Sequence, residues 1–162
     1  MRYSTLTTPI GELMLTADDD GALTAVHLPN RHPDPAGWER DDEHLADARR
    51  QLTEYFAGER TTFDLPLRPA GAPFQLRVWE ALLRIPYGET ASYGELACEL
   101  GQGGRDHRLA RAVGAANGRN PIAIVVPCHR VIGSNGSLTG YAGGLECKRA
   151  LLDLEVGRAA LV

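Results

Sequence analysis

A thiol, an imidazole and a guanidinium stand together at Cys128-His129-Arg130, directly after the apolar run Ile122-Ala123-Ile124-Val125-Val126 and Pro127. The run reads as a buried strand, which places the thiol where a rigid element ends. A free cysteine has a pKa of about 8.5 and is mostly protonated at neutral pH, so a nucleophilic one needs a base or a positive field to supply thiolate. His129 is adjacent, but neighbouring side chains of an extended segment diverge, so a bridging water suits proton transfer better than direct contact. In the last helical pattern Lys148, Leu152 and Glu155 fall at i, i+4 and i+7, on one face, from which Glu155 can turn inward to hold the imidazole. The blander alternative is a buried cysteine beside a surface histidine, and spacing alone does not choose between them. Zinc fits poorly: Cys128 and His129 are adjacent, Cys147 stands alone further on, and His27, His32 and His44 have no neighbouring cysteine.

Positioning such a thiol takes a scaffold. The chain has 162 residues, 43% of them hydrophobic, and a net charge of −4, enough for one domain or two small lobes and too apolar for disorder. The stretch Leu65-Pro66-Leu67-Arg68-Pro69-Ala70-Gly71-Ala72-Pro73 divides it into residues 1–70 and 74–162. The first part opens with three β-like runs, residues 3–8, 12–17 and 22–28, separated by Thr8-Pro9-Ile10-Gly11 and Asp18-Asp19-Asp20-Gly21. These predict an antiparallel meander, with the acidic run as a hairpin turn because it lacks the spaced ligands of a calcium loop. Leu45, Ala48, Leu52, Tyr55 and Phe56 then repeat at helical spacing up to Gly58.

The second part reads mainly helical. Pro73 starts a helix whose stripe is Phe74, Val78, Ala81, Leu82 and Ile85, ended by Pro86. Ser92-Tyr93-Gly94-Glu95 has the S-x-x-E pattern of a capping box and opens a short helix that Gly101 stops. Another helix runs from about Asp106, through Leu109 and Val113, to Asn117-Gly118, with Arg108 and Arg111 toward solvent. Two helices across a glycine-containing turn, the second bearing arginines, form a helix-turn-helix pattern that many helical pairs without DNA function share. The fold class is α/β (α+β). The small residues Ala112, Gly114, Ala115 and Ala116 suit close approach either to a nucleic acid or to another helix.

Charge divides with the chain. Residues 1–70 carry 7 basic and 13 acidic groups, and residues 71–162 carry 10 and 8. The window 105–130 holds Arg105, Arg108, Arg111, Arg119 and Arg130 against Asp106 alone, a weakly basic face able to attract a polyanion or simply to be solvated. Lys148 is the only lysine; the other 16 of 17 basic residues are arginine, which favours forked contacts with phosphate and base edges and fits codon bias equally. Three cysteines are too few for a disulfide scaffold, and the odd number leaves a free thiol. No apolar stretch approaches the roughly 18 residues of a membrane span, and the start lacks a signal peptide's apolar core, so a cytoplasmic protein with no membrane partner is expected.

The segment Asn120-Pro121-Ile122-Ala123-Ile124-Val125-Val126-Pro127-Cys128-His129-Arg130-Val131-Ile132, followed by Gly140-Tyr141-Ala142-Gly143-Gly144 and Lys148, resembles the methylated-DNA–protein-cysteine methyltransferase (O6-alkylguanine-DNA alkyltransferase) family. The likeness is strongest from Phe74 to Glu155 and includes Val78-Trp79, Ile85-Pro86-Tyr87-Gly88-Glu89-Thr90, Ser92-Tyr93 and Arg111-Ala112-Val113-Gly114. It implies a ribonuclease H-like sheet-and-helix lobe over residues 1–70, then a helix-turn-helix alkyltransferase domain over residues 74–162. It also implies single-turnover transfer of the alkyl group from O6-alkylguanine, and from O4-alkylthymine, in double-stranded DNA to the protein's own cysteine, by a monomer without cofactor or metal. By position, Cys128 accepts the alkyl group, His129 is its base through water, Glu155 orients His129, and Asn120 is the hinge between the DNA-reading helix and the cysteine loop. Arg111 fills the gap left by a flipped nucleotide, while Tyr93 helps to rotate that nucleotide and bonds the guanine. Ser92 and Ala112 share this DNA face; Tyr141, Val131 and the backbone at Ala142 line the pocket, and Lys148 lies near the reaction centre. Many relatives have Ser where Ala142 stands, so only a main-chain contact carries over there. The segment 101–108 is a few residues longer than in relatives and is expected to form an open turn holding Arg105 and Arg108 near phosphate.

Two other classes compete with this reading. A helix-turn-helix regulator has no need of Pro127-Cys128-His129-Arg130, and a lesion-binding relative that flips alkylguanine without repairing it lacks the reactive cysteine present here.

Overall fold

The computed structural model describes residues 1–101, 107–133, 135–136, 141 and 144–157, and the side chain of His107 is not included. Strands β1 (Arg2–Thr8), β2 (Gly11–Ala17) and β3 (Leu23–His27) form the expected antiparallel meander, and β4 (Glu39–Arg40) adds to β1 in parallel, giving the order β3-β2-β1-β4. Two-residue β4 carries no sequence signal long enough to read. As the central strand, β2 is covered on both faces: Leu13, Leu15 and Ala17 enter the common core, while the alternate Met14 and Thr16 are also buried. The Thr16 hydroxyl shares a 2.7 Å hydrogen bond with Thr24 across the β2–β3 pair. Asp18-Asp19-Asp20-Gly21 is the hairpin turn predicted for it: the Asp18 carboxylate accepts from the Asp20 and Ala22 amides, both at 3.0 Å, and pairs with Arg68.

Helix α1 (Ala46–Phe56) buries Ala48, Leu52, Tyr55 and Phe56. The residues between α1 and the next helix run back along the sheet. Leu23 donates to Pro66 O (2.8 Å) and Arg68 donates to Leu23 O (2.9 Å), so the proline-rich linker closes part of the open edge of β3. Further along the same edge Val26 donates to Pro121 O at 2.9 Å. The sheet therefore anchors the segment that leads to Cys128.

Helix α2 (Pro73–Leu82) starts at the predicted proline and buries Val78, Trp79, Ala81 and Leu82. Strand β5 (Ala91–Ser92) runs into α3 (Tyr93–Glu99), where Ser92 Oγ accepts from Glu95 N (3.0 Å) and Glu95 Oε1 from Ser92 N (3.1 Å), the predicted capping box. Helix α4 (His107–Gly118) packs on α2 and α3, pinned by a buried 2.8 Å hydrogen bond from Trp79 Nε1 to Ala116 O. The expected cap Asp106 lies outside the described residues. A 3₁₀ turn, Cys128–Arg130, leads into β6 (Val131–Ile132), which pairs in parallel with β5, and α5 (Leu145–Glu155) is the last element among the described residues. A single hydrophobic cluster runs from Leu13 and Leu52 through Val78 and Leu96 to Ile124 and Leu154. Among the described residues no helix is long and apolar enough to cross a membrane.

One element departs from the sequence reading. Residues 122–126 are not a strand but a buried succession of turns, paired with the sheet at the isolated Val26–Ile122 bridge. Val125 N bonds Ala123 O (2.8 Å), Val126 N bonds Ile122 O (3.0 Å), and Ile124 adopts φ +73°. A β-branched residue in the left-handed region costs on the order of 1–3 kcal/mol, tolerated here because all five side chains are buried. The Asn120 side chain organises the turns, its Oδ1 accepting from Ile122 N (3.0 Å) and its Nδ2 donating to Val126 O (2.8 Å).

Candidate active site

The turns deliver Cys128 to a nearly closed position, 6% exposed, beside Asn120, Tyr141 and Lys148. Burial raises the thiol's pKa, against the opposing pull of Asn120, Lys148 and Tyr141, so the resting group is neutral. Asn117, at the end of α4, donates to Cys128 O at 3.4 Å, tying the helix to the cysteine backbone. The Lys148 ammonium is fully buried and donates to Val131 O at 2.5 Å, which steadies the residue where β6 leaves the cysteine turn. Burial lowers the lysine's pKa, and proximity to Cys128 opposes that shift.

His129 is fully buried, which removes the surface-histidine alternative. Its Nε2 lies 2.6 Å from Glu155 Oε2. Burial alone would raise the Glu155 pKa, but hydrogen bonds from His129, Arg130 and Tyr55 outweigh it and hold the carboxyl at about 2. An ionised carboxylate only accepts, so Nε2 carries the proton and Nδ1 is left as the basic nitrogen. That Nδ1 is buried and has no partner among the described residues. Burial lowers the pKa of His129, the pull of Glu155 notwithstanding, so the ring rests neutral.

Glu155 collects more donors than sequence reasoning foresaw. Arg130 Nε reaches Oε1 at 2.7 Å and its Nη2 reaches Oε2 at 3.1 Å, while Nη1 donates to Ile85 O at 2.7 Å. Counted in the basic window as a surface charge, Arg130 is instead buried and committed to Glu155, and its guanidinium lies over the Tyr87 ring at 5.7 Å. Tyr55 of α1 donates its hydroxyl to Glu155 Oε2 at 2.6 Å, so the sheet lobe contributes directly to the site. The adjacency of Arg130 to Cys128 was the available clue for the first. A tyrosine on an apolar helix stripe, whose hydroxyl must find a partner when buried, was the clue for the second. Gly88 adopts φ +80°, and a Cβ placed there would stand only 3.2 Å from Glu155 O, so a side chain would be strained and crowded.

Tyr93, at the start of α3, lies against Gly114 of α4, and with Ala110 and Arg111 these residues line an open groove of about 480 Å³. Arg108, Arg111 and Ala112 are exposed on α4. The small residues serve both purposes weighed for them, since Ala116 is buried in the helix packing while Ala112 and Ala115 face outward. Ser92 is engaged as the helix cap. Val131 is buried, and Tyr141 sits beside the thiol with its hydroxyl buried and unpartnered among the described residues. Arg105, Ala142 and most of the segment 101–108 lie outside the described residues. No cluster of metal-ligating side chains occurs among the described residues.

The family model for the 6-O-methylguanine DNA methyltransferase DNA binding domain matches residues 73–157, and that for the ribonuclease-like domain of the same protein matches residues 1–69. The chain belongs to the 6-O-methylguanine DNA methyltransferase family. It is 52% identical over 161 residues to the methylated-DNA–protein-cysteine methyltransferase of Mycobacterium tuberculosis H37Rv, covering 98% of this chain and 94% of that one. It is 48% identical to the constitutive enzyme of that name from Bacillus subtilis 168, covering 94% of each. A crystal structure of Mycobacterium tuberculosis OGT in complex with DNA superposes with a TM-score of 0.89 at 52% identity, covering 98% of this chain and 95% of that one. The O6-methylguanine-DNA methyltransferase of Pyrococcus kodakaraensis KOD1, at 23% identity and a TM-score of 0.54, shares the fold. The mixed architecture of a small sheet with helices is thus the methyltransferase fold.

Proposed function

We propose that this methyltransferase repairs O6-alkylguanine in double-stranded DNA by transferring the alkyl group once, irreversibly, to Cys128. The observation that carries the assignment is the buried relay in which ionised Glu155 holds the Nε2 proton of His129 and leaves Nδ1 as the base on the residue after Cys128. From ordinary values of about 8.5 and 6.5, moving the thiol proton to imidazole costs about 3 kcal/mol, and burial shifts both groups so as to increase that cost. The resting thiol is therefore protected, and thiolate forms as the substrate reacts.

The thiol proton passes through water to His129 Nδ1, and Glu155 stabilises the resulting imidazolium. Sulfur attacks the alkyl carbon in line, the S–C bond forms, the O6–C bond breaks, and the electron pair leaves with guanine. A proton donor from Tyr93 offsets the charge developing on the ring. Asn120 shapes the turn that presents the sulfur, and Lys148 adds a positive field and fixes Val131. Arg111, beside Tyr93 on the open groove, occupies the gap left by the flipped nucleotide, and Ser92 and Ala112 contact the DNA beside it. Tyr141, Val131 and the backbone at Ala142 border the bound base; Arg105 and Arg108 contact phosphate. The product is a thioether that neither water nor a second thiol cleaves, so each molecule acts once. We place the protein in the cytoplasm, where its three free cysteines stay reduced.

The test is a titration of O6-methylguanine duplex with protein. Lesion removed should equal protein added, and Cys128→Ala should remove none; lesion removed in excess of protein would refute single-use transfer.

A further inference from the structure

A cavity of about 220 Å³ opens beside Cys128, and both halves of the chain border it. His27 closes β3 and Arg31 follows it in the loop, Asn117 and Arg119 stand at the end of α4 and just beyond, and Tyr141 completes the wall. The space far exceeds the roughly 30 Å³ share of one water molecule, so a methyl group leaves most of it to larger substituents. Its chemistry is one-sided. No carboxylate is among the described lining residues, and Arg31 and Arg119 are exposed at its border. Burial, then the neighbouring His32, lowers the His27 pKa, so the positive potential comes from the two guanidiniums. A substituent ending in a carboxylate enters the field of the two guanidiniums. An apolar substituent of equal size gains nothing from that field.

We propose that this cavity is a substituent subsite in which Arg31, together with Arg119, favours alkyl groups ending in a carboxylate, carboxymethyl above all, over apolar groups of equal size. The inference rests on Cys128 as the alkyl acceptor. The chemistry is the same displacement: the S–CH2 bond forms, the O6–CH2 bond breaks, the electron pair leaves with guanine, and the thiol proton goes to His129.

The test uses one duplex carrying O6-methyl-, O6-carboxymethyl- or isosteric O6-isobutylguanine, with single-turnover rates measured for wild type, Arg31→Gln, Arg31→Lys and the Arg31→Gln/Arg119→Gln double variant. Each rate is divided by the same protein's methyl rate, which cancels DNA affinity, and comparison between proteins cancels the substituents' intrinsic reactivity. Arg31→Gln should lower the carboxymethyl ratio about three- to five-fold, as loss of one exposed ion pair implies, and the double variant about ten-fold. Arg31→Lys should keep most of it, and the isobutyl ratio should not move. An unchanged carboxymethyl ratio, or an isobutyl ratio that falls in parallel, overturns the proposal. Failure of wild type to transfer even methyl would instead overturn the assignment of Cys128.

Discussion

Glu155→Gln isolates the charge of the relay while keeping its shape. The carboxylate accepts at 2.6 Å from both His129 and Tyr55 and at 2.7 and 3.1 Å from Arg130. An amide has one accepting oxygen. Placed at the Oε2 position it still serves His129 and Tyr55, but its NH2 then confronts Arg130 Nε. Converting the charge-assisted bond on the imidazolium to a neutral one removes about 2 kcal/mol, so transfer should slow by about 30-fold or more. Stability should fall as well. The Glu155 pKa is lowered from 4.5 to about 2, equivalent to about 3 kcal/mol of native-state stabilisation. Because the folded-state value lies below the unfolded one, that contribution is complete above about pH 5 and is lost as pH falls toward 2. The variant lacks it at every pH and leaves Arg130 buried without its counter-charge, for a total cost of about 3–5 kcal/mol. Rapid-quench transfer from O6-methylguanine duplex, DNA affinity by fluorescence anisotropy and urea unfolding separate these effects. A folded variant that transfers within two-fold of wild type would refute the relay, and so would a loss of DNA affinity as large as the loss of rate.

Tyr55→Phe should destabilise the fold by about 1.5–3 kcal/mol in urea, the range for a hydrogen bond to a charged group, and its ring contacts should survive; a change below 0.5 kcal/mol would mean the Tyr55–Glu155 bond contributes nothing net. His129→Ala should abolish most transfer with DNA affinity retained, measured on the same two assays. Arg111→Ala should impair repair of duplex far more than reaction with free O6-alkylguanine, which needs no flipping, and equal losses on both substrates would reject its role. The transfer rate should fall on acidification with a midpoint below 6.5, because burial lowers the His129 pKa and protonation removes the base; a midpoint above 6.5 in a pH–rate profile would contradict this.

Features set by local chemistry were legible in the sequence. The Ser92–Glu95 capping box, the proline start of α2, the Asp18 turn and the shared inward face of Lys148 and Glu155 all depend on residues a few positions apart. Residues 122–126 were misread because a short apolar, β-branched run looks the same in a buried strand and in a buried turn. What separates the two is the pair of hydrogen bonds from Asn120 and the left-handed Ile124, neither of which hydrophobic periodicity reports. Arg130 and Tyr55 escaped for a different reason: their common partner Glu155 is 25 and 100 residues away, and only the packed fold brings the three together. The Cys128–His129–Glu155 grouping was readable as a candidate from residue type and helical spacing, whereas the tautomer follows from the 2.6 Å contact with ionised Glu155 and the resting neutrality of the pair from burial.

The central claim is that one alkyl group moves to Cys128 and stays there. Intact mass after incubation with excess O6-methylguanine duplex, followed by peptide mapping, tests it most directly. A mass gain of one methyl group per chain, located on Cys128 and absent in Cys128→Ala, is the predicted result; catalytic turnover with unmodified protein, or a methyl group mapped to Cys98 or Cys147, would contradict it.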